Sequence, residues 1–264
     1  MTGWDTLARE LNAWGEAGEV ATLWWRDDDA VADTPALRRL LTLAAAPGPH
    51  AAPTPLNLAV IPLAAQPTLS VLLAEAANVT VLQHGYAHAN HAPAGAKKAE
   101  FPRGRPVPDM LADLRAGRAR LRDLFGATAL PVFVPPWNRI DPTLVERLPD
   151  VDITGLSIYG PRAMAPTPPP IVYVNAHVDL VDWHGGRGFV GAEPALKLAV
   201  DHLASRRQNR VDHDEATGLL THHLVHDDAA WDFIGSFVRV IDAHGAARWL
   251  SGPDLFRRPP DAAA

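Results

Sequence analysis

The sequence of 264 residues contains no cysteine. Disulfide bridges and thiolate ligands are therefore excluded, and any metal must be bound by histidine nitrogens and carboxylate oxygens. Twelve histidines supply such ligands generously. A basic excess is also absent, since the formal net charge is -6. This charge argues against a nucleic acid or an anionic membrane surface as partner.

Long apolar segments are missing as well. The first 20 residues carry Asp5, Arg9 and Glu10 and lack the uninterrupted apolar run that a secretory signal or a membrane span requires. With 47% hydrophobic and 20% charged residues, the composition is that of a folded protein rather than a disordered one. We therefore expect a cytoplasmic protein with a small-molecule or saccharide substrate and with no nucleic-acid or membrane partner.

Apolar runs suited to buried strands alternate with segments of helical periodicity along the whole chain. We predict strands at residues 20–25, 56–61, 79–82, 131–134, 153–157, 171–174 and 218–221, with a last short one at 248–250. We predict helices around residues 7–14, 33–43, 67–77, 109–125, 142–148, 194–206 and 228–243. This alternation predicts an α/β fold: one domain over residues 1–264, built as a distorted (β/α) barrel of about seven parallel strands.

Dense polar clusters follow five of the predicted strands, at residues 26–29, 84–88, 135–139, 179–183 and 222–223. The carboxyl ends of parallel strands in a barrel share one face, where such folds assemble their chemistry. The clusters are therefore expected to form one site.

Each cluster also has a simpler interpretation. An acidic run such as residues 27–29 is more often a solvated loop or a helix cap than a metal site. His84 and His88 are spaced either as a helix-face pair or as two ligands of one cation. His222 and His223 are adjacent, so in an extended strand only one of them enters a shared pocket.

Two tryptophans, Trp137 and Trp183, leave a similar choice. Buried cores are the commoner place for tryptophan. Both lie in polar loops, however, where an aromatic face can contact a sugar ring or an acyl methyl group. The two interpretations remain open.

In this order, the clusters resemble the motifs of the polysaccharide deacetylase family, the NodB-type carbohydrate esterases, whose fold is a distorted barrel of parallel strands and helices. The family carries a paired Asp, a His-x-x-x-His pair, a Pro-aromatic loop, Asp-x-x-Asp-Trp and Leu-x-x-His. The matching positions are Asp27-Asp28, His84 to His88, Pro136-Trp137, residues 179–183 and residues 219–222. The resemblance spans Trp25 to about Phe233, and five motifs in order are far more specific than any one of them.

The resemblance implies a role for each motif. Asp28, His84 and His88 would bind a divalent metal, most often Zn²⁺, while Asp27 would be the general base and His222 the general acid. The register within residues 27–29 is open by one position. A backbone N–H at Trp137 would face the oxyanion, and Asp179 would hold the His222 imidazole in its protonated form. The proposed substrate contacts are Trp137, Trp183 and Arg139.

Three departures from the family pattern stand out. Arg26 precedes the aspartates and Asp29 follows them, where an aromatic residue and a glycine are usual. Gly85 replaces a serine or threonine in the histidine motif. The third motif lacks the arginine that would orient the base, and Arg26 or Arg139 could take its place as a bidentate donor.

Two further features have open roles. Residues 91–105 form either a lid over the site or an exposed insertion. His177 and His184 flank the Asp-x-x-Asp-Trp motif, where a solvated loop is the default interpretation and the pocket is the alternative.

The function expected from this pattern is metal-dependent hydrolysis that removes an acyl group, in particular acetyl, from an N-acetylated sugar or a related amide. One alternative is a carbohydrate-binding pseudoenzyme that keeps the barrel without its chemistry. Another is a hydrolase of a non-sugar amide.

Overall fold

The computed structural model describes residues 2–46, 52–164 and 171–257. Within them, nine strands form one sheet whose strand pairings are parallel. These strands are β1 Ala21–Ala30, β2 Leu56–Val60, β3 Val79–His84, β4 Ala129–Val134, β5 Gly155–Leu156, β6 Val172–Tyr173, β7 Val178–Asp179, β8 Thr217–Thr221 and β9 Ala247–Trp249.

Helices connect the strands, as the periodicity predicts. They are α1 Gly3–Glu16, α2 Pro35–Ala45, α3 Pro67–Leu73, α4 Val107–Phe125, α5 Pro142–Val145, α6 Ala192–Arg207, α7 Asp228–Ala243 and α8 Gly252–Leu255. Local capping explains where several of them begin: the Thr34 hydroxyl accepts a bond from the Leu37 N–H, and the Asp227 carboxylate accepts one from the Ala230 N–H. None of the helices in the described part of the chain has the length and apolar character needed to cross a membrane.

The strand order across the sheet is β6-β5-β4-β3-β2-β1-β8-β7, with β9 paired to β1. The sheet therefore curls into a half-barrel of eight strands, and the chain passes from one edge strand, β6, to the other, β7, through residues 174–177. This architecture confirms the predicted (β/α) barrel. The additional strand is β7, whose two residues are too few to produce a periodic signal.

The first strand differs from its prediction in a way that matters for the site. It continues to Ala30, so Asp27, Asp28 and Asp29 belong to the strand instead of the loop after it. Its pairing with β2 is irregular between Asp27 and Ala30, and Asp29 has a positive φ angle of 71°. Such irregularities redirect side chains at the end of a strand.

Two apolar layers enclose the sheet. Trp24 packs inside the half-barrel with Leu82, Val132 and Val134. Trp25 packs on the outer face, in the larger cluster formed with the helices, which includes Ile234 and other apolar residues of α7. Successive residues of β1 thus face opposite layers, and this alternation decides where the following aspartates point.

Candidate functional site

The three consecutive aspartates of β1 have three different sets of partners. Asp27 lies on the outer face and contacts His223. Asp28 lies inside the half-barrel and pairs with Arg26, two residues earlier on the same strand. Asp29, turned by its positive φ angle, reaches the histidine pair of the second motif.

Asp29, His84 and His88 form the cluster that best fits a metal ion. The Asp29 Oδ1 atom lies 3.1 Å from His84 Nε2 and 3.3 Å from His88 Nε2. His84 Nδ1 is 3.0 Å from the carbonyl oxygen of Val134, and because a carbonyl only accepts, this nitrogen carries the proton. With Nδ1 bonded to the carbonyl, Nε2 is the atom that faces the carboxylate oxygen, and a cation among Asp29 Oδ1 and the two Nε2 atoms would satisfy all three.

The surroundings of this cluster support the same fit. Asp29 Oδ1 is buried and has no hydrogen-bond donor. The Asp29 and His88 side chains are 30% and 26% exposed, so solvent and a substrate can reach the cluster. One carboxylate and two imidazoles leave coordination positions open, as a catalytic zinc site requires. The resemblance implied Asp28 at this position with the register open by one residue, and Asp29 is the aspartate that lies against the two histidines, because the irregular pairing and the positive φ angle turn its side chain inward.

The turn after β3 brings His88 into place. Gly85 has a φ angle of 60° and His88 one of 55°. A Cβ atom on Gly85 would lie 2.0 Å from the Glu100 carboxylate, which explains the glycine at this position. That carboxylate accepts bonds from the Tyr86 and Ala87 N–H groups at 3.2 and 2.7 Å. The loop at residues 91–105 is therefore anchored under the histidine turn through a fully buried Glu100.

Arg26 holds the carboxylate of Asp28. Its Nη2 donates to Asp28 Oδ2 at 3.1 Å, and its Nε lies 2.9 Å from Oδ1 as an ion-pair contact, with both side chains buried. The guanidinium also donates to Ser157 Oγ at 2.7 Å and to Asn138 Oδ1 at 2.9 Å. Arg139 instead donates to the Lys98 carbonyl oxygen. Of the two candidate arginines, Arg26 is the one that contacts an aspartate of the first motif.

His222 approaches Asp28 from the end of β8. Its Nε2 atom is 4.0 Å from Asp28 Oδ2, and the edge of its ring meets Trp183 with the ring centroids 4.9 Å apart. Asp179 accepts bonds from Trp183 Nε1 at 2.8 Å and from the Val181 N–H at 3.0 Å. Burial raises the pKa of Asp179, although the nearby His222 opposes the shift. The hydrogen bonds of Asp179 thus orient Trp183 rather than the His222 imidazole that the sequence assigned to it.

Trp137 lies on the other side of the cluster. Its ring centroid is 4.5 Å from that of His88, and its φ angle of 56° places the residue in the left-handed region. Trp183 is 42% exposed. Both tryptophans predicted to contact the substrate therefore lie beside histidines of the candidate site.

Asp27 lies away from these groups, contrary to the position that a general base at this site needs. Its Oδ1 atom is 2.5 Å from His223 Nδ1, and both side chains are buried on the outer face of the sheet. His222 and His223 follow β8 directly and contact different aspartates, with His222 near Asp28 and His223 bonded to Asp27.

A second cluster of possible metal ligands contains His177, His202 and Glu215. His177 Nε2 is 3.4 Å from Glu215 Oε2, but the two imidazole rings are stacked with centroids 3.5 Å apart. Lone pairs in two parallel ring planes do not converge on one ion, whereas the centroids of His84 and His88 are 5.1 Å apart at 48°. Burial and the neighbouring His177 lower the pKa of His202 to about 2. This buried cluster is therefore poorly suited to substrate chemistry, and His177 belongs to it, while His184 is exposed.

The comparisons with known proteins agree with this fold. No family model matches the sequence, and no curated protein matches it. Among solved structures, a protein from Mycobacterium smegmatis assigned as a polysaccharide deacetylase superimposes with a TM-score of 0.65 at 17% identity, over 90% of this chain and 88% of that one. A peptidoglycan deacetylase from Bdellovibrio bacteriovorus gives a TM-score of 0.51 at 12% identity, over 90% of this chain and 56% of that one. The chain has the fold of the polysaccharide deacetylases.

Sequence reasoning did not find several residues of the site. It left the register within residues 27–29 open without choosing Asp29 as the ligand, and it did not single out Ser157, Asn138 or a buried function for Glu100. Asn138 and Ser157 act through Arg26 across 112 and 131 residues, so their contacts carry no local signal. The positive φ angle of Asp29 could have been suspected only from the glycine that usually occupies the end of this motif.

Proposed function

We propose that this protein is a metal-dependent hydrolase that removes an acyl group, in particular acetyl, from an N-acetylated sugar or a related amide. The observation that carries the proposal is the convergence of Asp29, His84 and His88 beside the Arg26-bound carboxylate of Asp28. A ligand set with open positions and an adjacent carboxylate are the two parts that metal-assisted hydrolysis needs.

In this proposal the register of the first motif shifts by one residue from the sequence assignment. Asp29, His84 and His88 hold the ion, and Asp28 is the general base. Zn²⁺ is the proposed ion because a site of one carboxylate and two imidazoles suits it. When bound, such an ion supplies the Lewis acidity that polarises an acyl carbonyl and activates water.

Different side chains carry out the two proton transfers. Asp28 takes a proton from the attacking water, and the hydrogen bond and ion-pair contact from Arg26 keep its carboxylate in a fixed orientation. His222 donates a proton to the departing nitrogen. His222 lies beside Asp28, and Trp183 packs against the His222 imidazole. The Trp137 N–H stabilises the oxyanion that develops on the carbonyl.

The aromatic residues support a saccharide as substrate. Trp137 lies beside His88 and Trp183 lies beside His222. Apolar ring faces contact the C–H faces of sugars and the methyl group of acetyl. The two structural neighbours are described as acting on polysaccharide and on peptidoglycan, and this favours an N-acetylated sugar over a non-sugar amide.

Retention of the whole constellation favours a hydrolase over a carbohydrate-binding pseudoenzyme. Arg26 supplies the arginine contact that the third motif lacks, so the altered motifs still hold a base carboxylate. A protein that only bound sugars would gain nothing from a buried arginine and aspartate pair next to the histidines.

Two measurements test the proposal: metal content and release of acetate from N-acetylated sugars and small amides. We expect about one zinc per chain, its loss in His88→Ala, and its retention in Asp28→Asn with activity reduced by about 10²- to 10⁴-fold. The matched controls are His244→Ala and Asp33→Asn, whose side chains contact Asn12 and Arg38 rather than a residue of the site. A protein without stoichiometric divalent ion, or metal content unchanged in His88→Ala, would contradict the proposal. A metal-loaded protein that releases no acetate from any substrate would instead support the pseudoenzyme.

A further inference from the structure

The outer face of β1 and β8 carries a hydrogen-bonded group of polar side chains directly behind the candidate active site. Asp27 Oδ2 accepts from Thr221 Oγ1 at 2.6 Å and from the His223 N–H at 3.1 Å, and Asp27 Oδ1 lies 2.5 Å from His223 Nδ1. Thr221 Oγ1 in turn accepts from Trp25 Nε1 at 2.9 Å. Every oxygen of the Asp27 carboxylate is thus bonded to β8 or to the residues just after it.

This group lies where the burial of charged side chains is energetically unfavourable. The side chains of Asp27 and His223 are 0% and 1% exposed, in the layer where Trp25 and Trp231 of the apolar core pack. Burial opposes charge on both groups, yet their mutual bond lowers the pKa of Asp27 and raises that of His223. Apolar residues of similar size commonly stabilise a fold as well as a buried ion pair does. Stability alone therefore does not account for the pair.

Its members are instead neighbours of the proposed catalytic residues in the chain. Asp27 precedes Asp28, and His223 follows His222. A third residue, His226, accepts a bond from the His222 backbone N–H at 3.0 Å through its Nε2 atom. Burial lowers the pKa of His226 to about 4, which leaves this nitrogen free to accept.

We propose that Asp27, His223 and His226 are positioning residues that fix Asp28 and His222 at their separation of 4.0 Å across the β1–β8 pair. The inference rests on the proposed function for its catalytic consequence. Asp27 and His223 tie together the two strand ends from behind, and His226 fixes the backbone of His222 from the turn before α7. Because acid and base must approach a substrate from set positions, a displacement of about 1 Å at either one slows the reaction strongly.

The test compares four variants with the wild-type protein, each loaded with zinc. In Asp27→Leu and His226→Leu we expect kcat to fall by about 10- to 100-fold, with KM and zinc content within two-fold of wild type. His226→Gln, whose side-chain oxygen can accept in place of Nε2, should recover most of the kcat lost in His226→Leu. The control is Glu10→Gln, which breaks the pair between Glu10 and Arg207 on α1 and α6, away from the site.

A second readout is independent of catalysis. Hydrogen exchange of the His222 and His223 backbone amides, measured on the metal-free protein, should accelerate at least ten-fold in His226→Leu and Asp27→Leu respectively. The amides of α6 should be unchanged in both variants. If Asp27→Leu does not fold, the two His226 variants provide the comparison.

Two results would overturn the inference. One is unchanged exchange of the His222 and His223 amides in these variants. The other is a lower melting temperature with unaltered kcat, as expected for Glu10→Gln, which would make the group purely structural. A wild-type protein that releases no acetate would refute the proposed function, whereas the exchange measurements would still decide whether these side chains hold the two strand ends.

Discussion

At the scale of single residues, the candidate site is marked by an unusual backbone. Asp29, His88, Trp137 and Asn138 have φ angles of 71°, 55°, 56° and 55°. Residues other than glycine rarely adopt this conformation, and each instance costs about 1 kcal/mol or more. The surrounding fold compensates for this cost at three separate strand ends. The strained residues lie where a ligand set and two aromatic side chains must converge.

The contact between Arg26 and Asp28 leads to a first prediction. Arg26→Lys keeps the charge but not the planar fork, so the Asp28 carboxylate loses one of its two contacts with residue 26 and its fixed orientation. We expect kcat to fall by about 10- to 100-fold with zinc content unchanged, because Arg26 touches none of the proposed ligands. Steady-state kinetics and metal analysis of the same preparation check it. Full activity in Arg26→Lys would show that the orientation of Asp28 is irrelevant.

A second prediction concerns Gly85. In Gly85→Ala the new methyl group would collide with the buried Glu100 carboxylate, at a backbone conformation that alanine disfavours. We expect a loss of about 2–4 kcal/mol in the free energy of unfolding, measured by urea denaturation. Gly95→Ala is the control: its φ angle is also positive, at 82°, but open space surrounds it, so only about 1 kcal/mol should be lost. Equal losses in both variants would argue that the Glu100 contact is unimportant.

At the scale of elements, α6 and the start of β8 enclose the stacked histidines. His202 Nδ1 lies 2.9 Å from Thr217 Oγ1, and its ring is 6% exposed. Because its pKa is about 2 in the folded chain and near 6.5 in the unfolded one, the unfolded state binds an extra proton below pH 6.5. The folded state therefore loses stability as the pH falls below 6.5.

This linkage gives a third prediction. His202→Asn keeps a polar atom near the Nδ1 position but cannot titrate. Between pH 6 and pH 4.5, the free energy of unfolding of the wild-type protein should fall more steeply than that of His202→Asn, by at most about 1.4 kcal/mol per pH unit. Urea denaturation of metal-free protein at several pH values measures both slopes. Parallel slopes would mean that His202 is not held neutral in the folded protein.

The individual helices and strands show how much of the fold can be predicted from the sequence. The long amphipathic helices and the apolar strands β1 to β4 and β8 follow from periodicity, because each buries one continuous face or layer. Strand β7 does not, since its two residues pair with Leu219 and Leu220 of β8 by register rather than by pattern. The strand that ends in three aspartates was predicted five residues too short, because burial of such residues depends on partners elsewhere in the chain.

The site was predictable to a similar degree. Ordered motifs indicate that residues 27–29, His84, His88 and His222 meet at the strand ends, which the topology brings about. Which aspartate faces the histidines depends on one irregular backbone position, so the motif leaves the register within residues 27–29 open by one residue. The contact between Asp179 and Trp183 likewise depends on a turn geometry without a sequence signature.

At the scale of the whole molecule, metal binding should be coupled to stability. An ion held by Asp29, His84 and His88 links β1 to the turn after β3, and it binds the folded chain alone. At free zinc 100-fold above its dissociation constant the gain is about 2.7 kcal/mol. For a chain of this size that corresponds to a rise of roughly 5–10 °C in the melting temperature.

Differential scanning calorimetry with and without chelator measures this rise. The shift should disappear in His88→Ala and persist in His244→Ala. If neither zinc nor chelator changes the melting temperature of the wild-type protein, the assignment of these three residues as ligands is contradicted.

The placement of Arg26 and Asp28 on one strand has a consequence for tracing the ancestry of this protein. Where an orienting arginine comes from a distant loop, the two positions can drift apart through insertions between them. Here both lie within three consecutive residues, so they are inherited as a single unit. A search for Arg-x-Asp-Asp before a turn, together with a later His-His, should therefore retrieve the lineage that shares this arrangement even where overall similarity has faded.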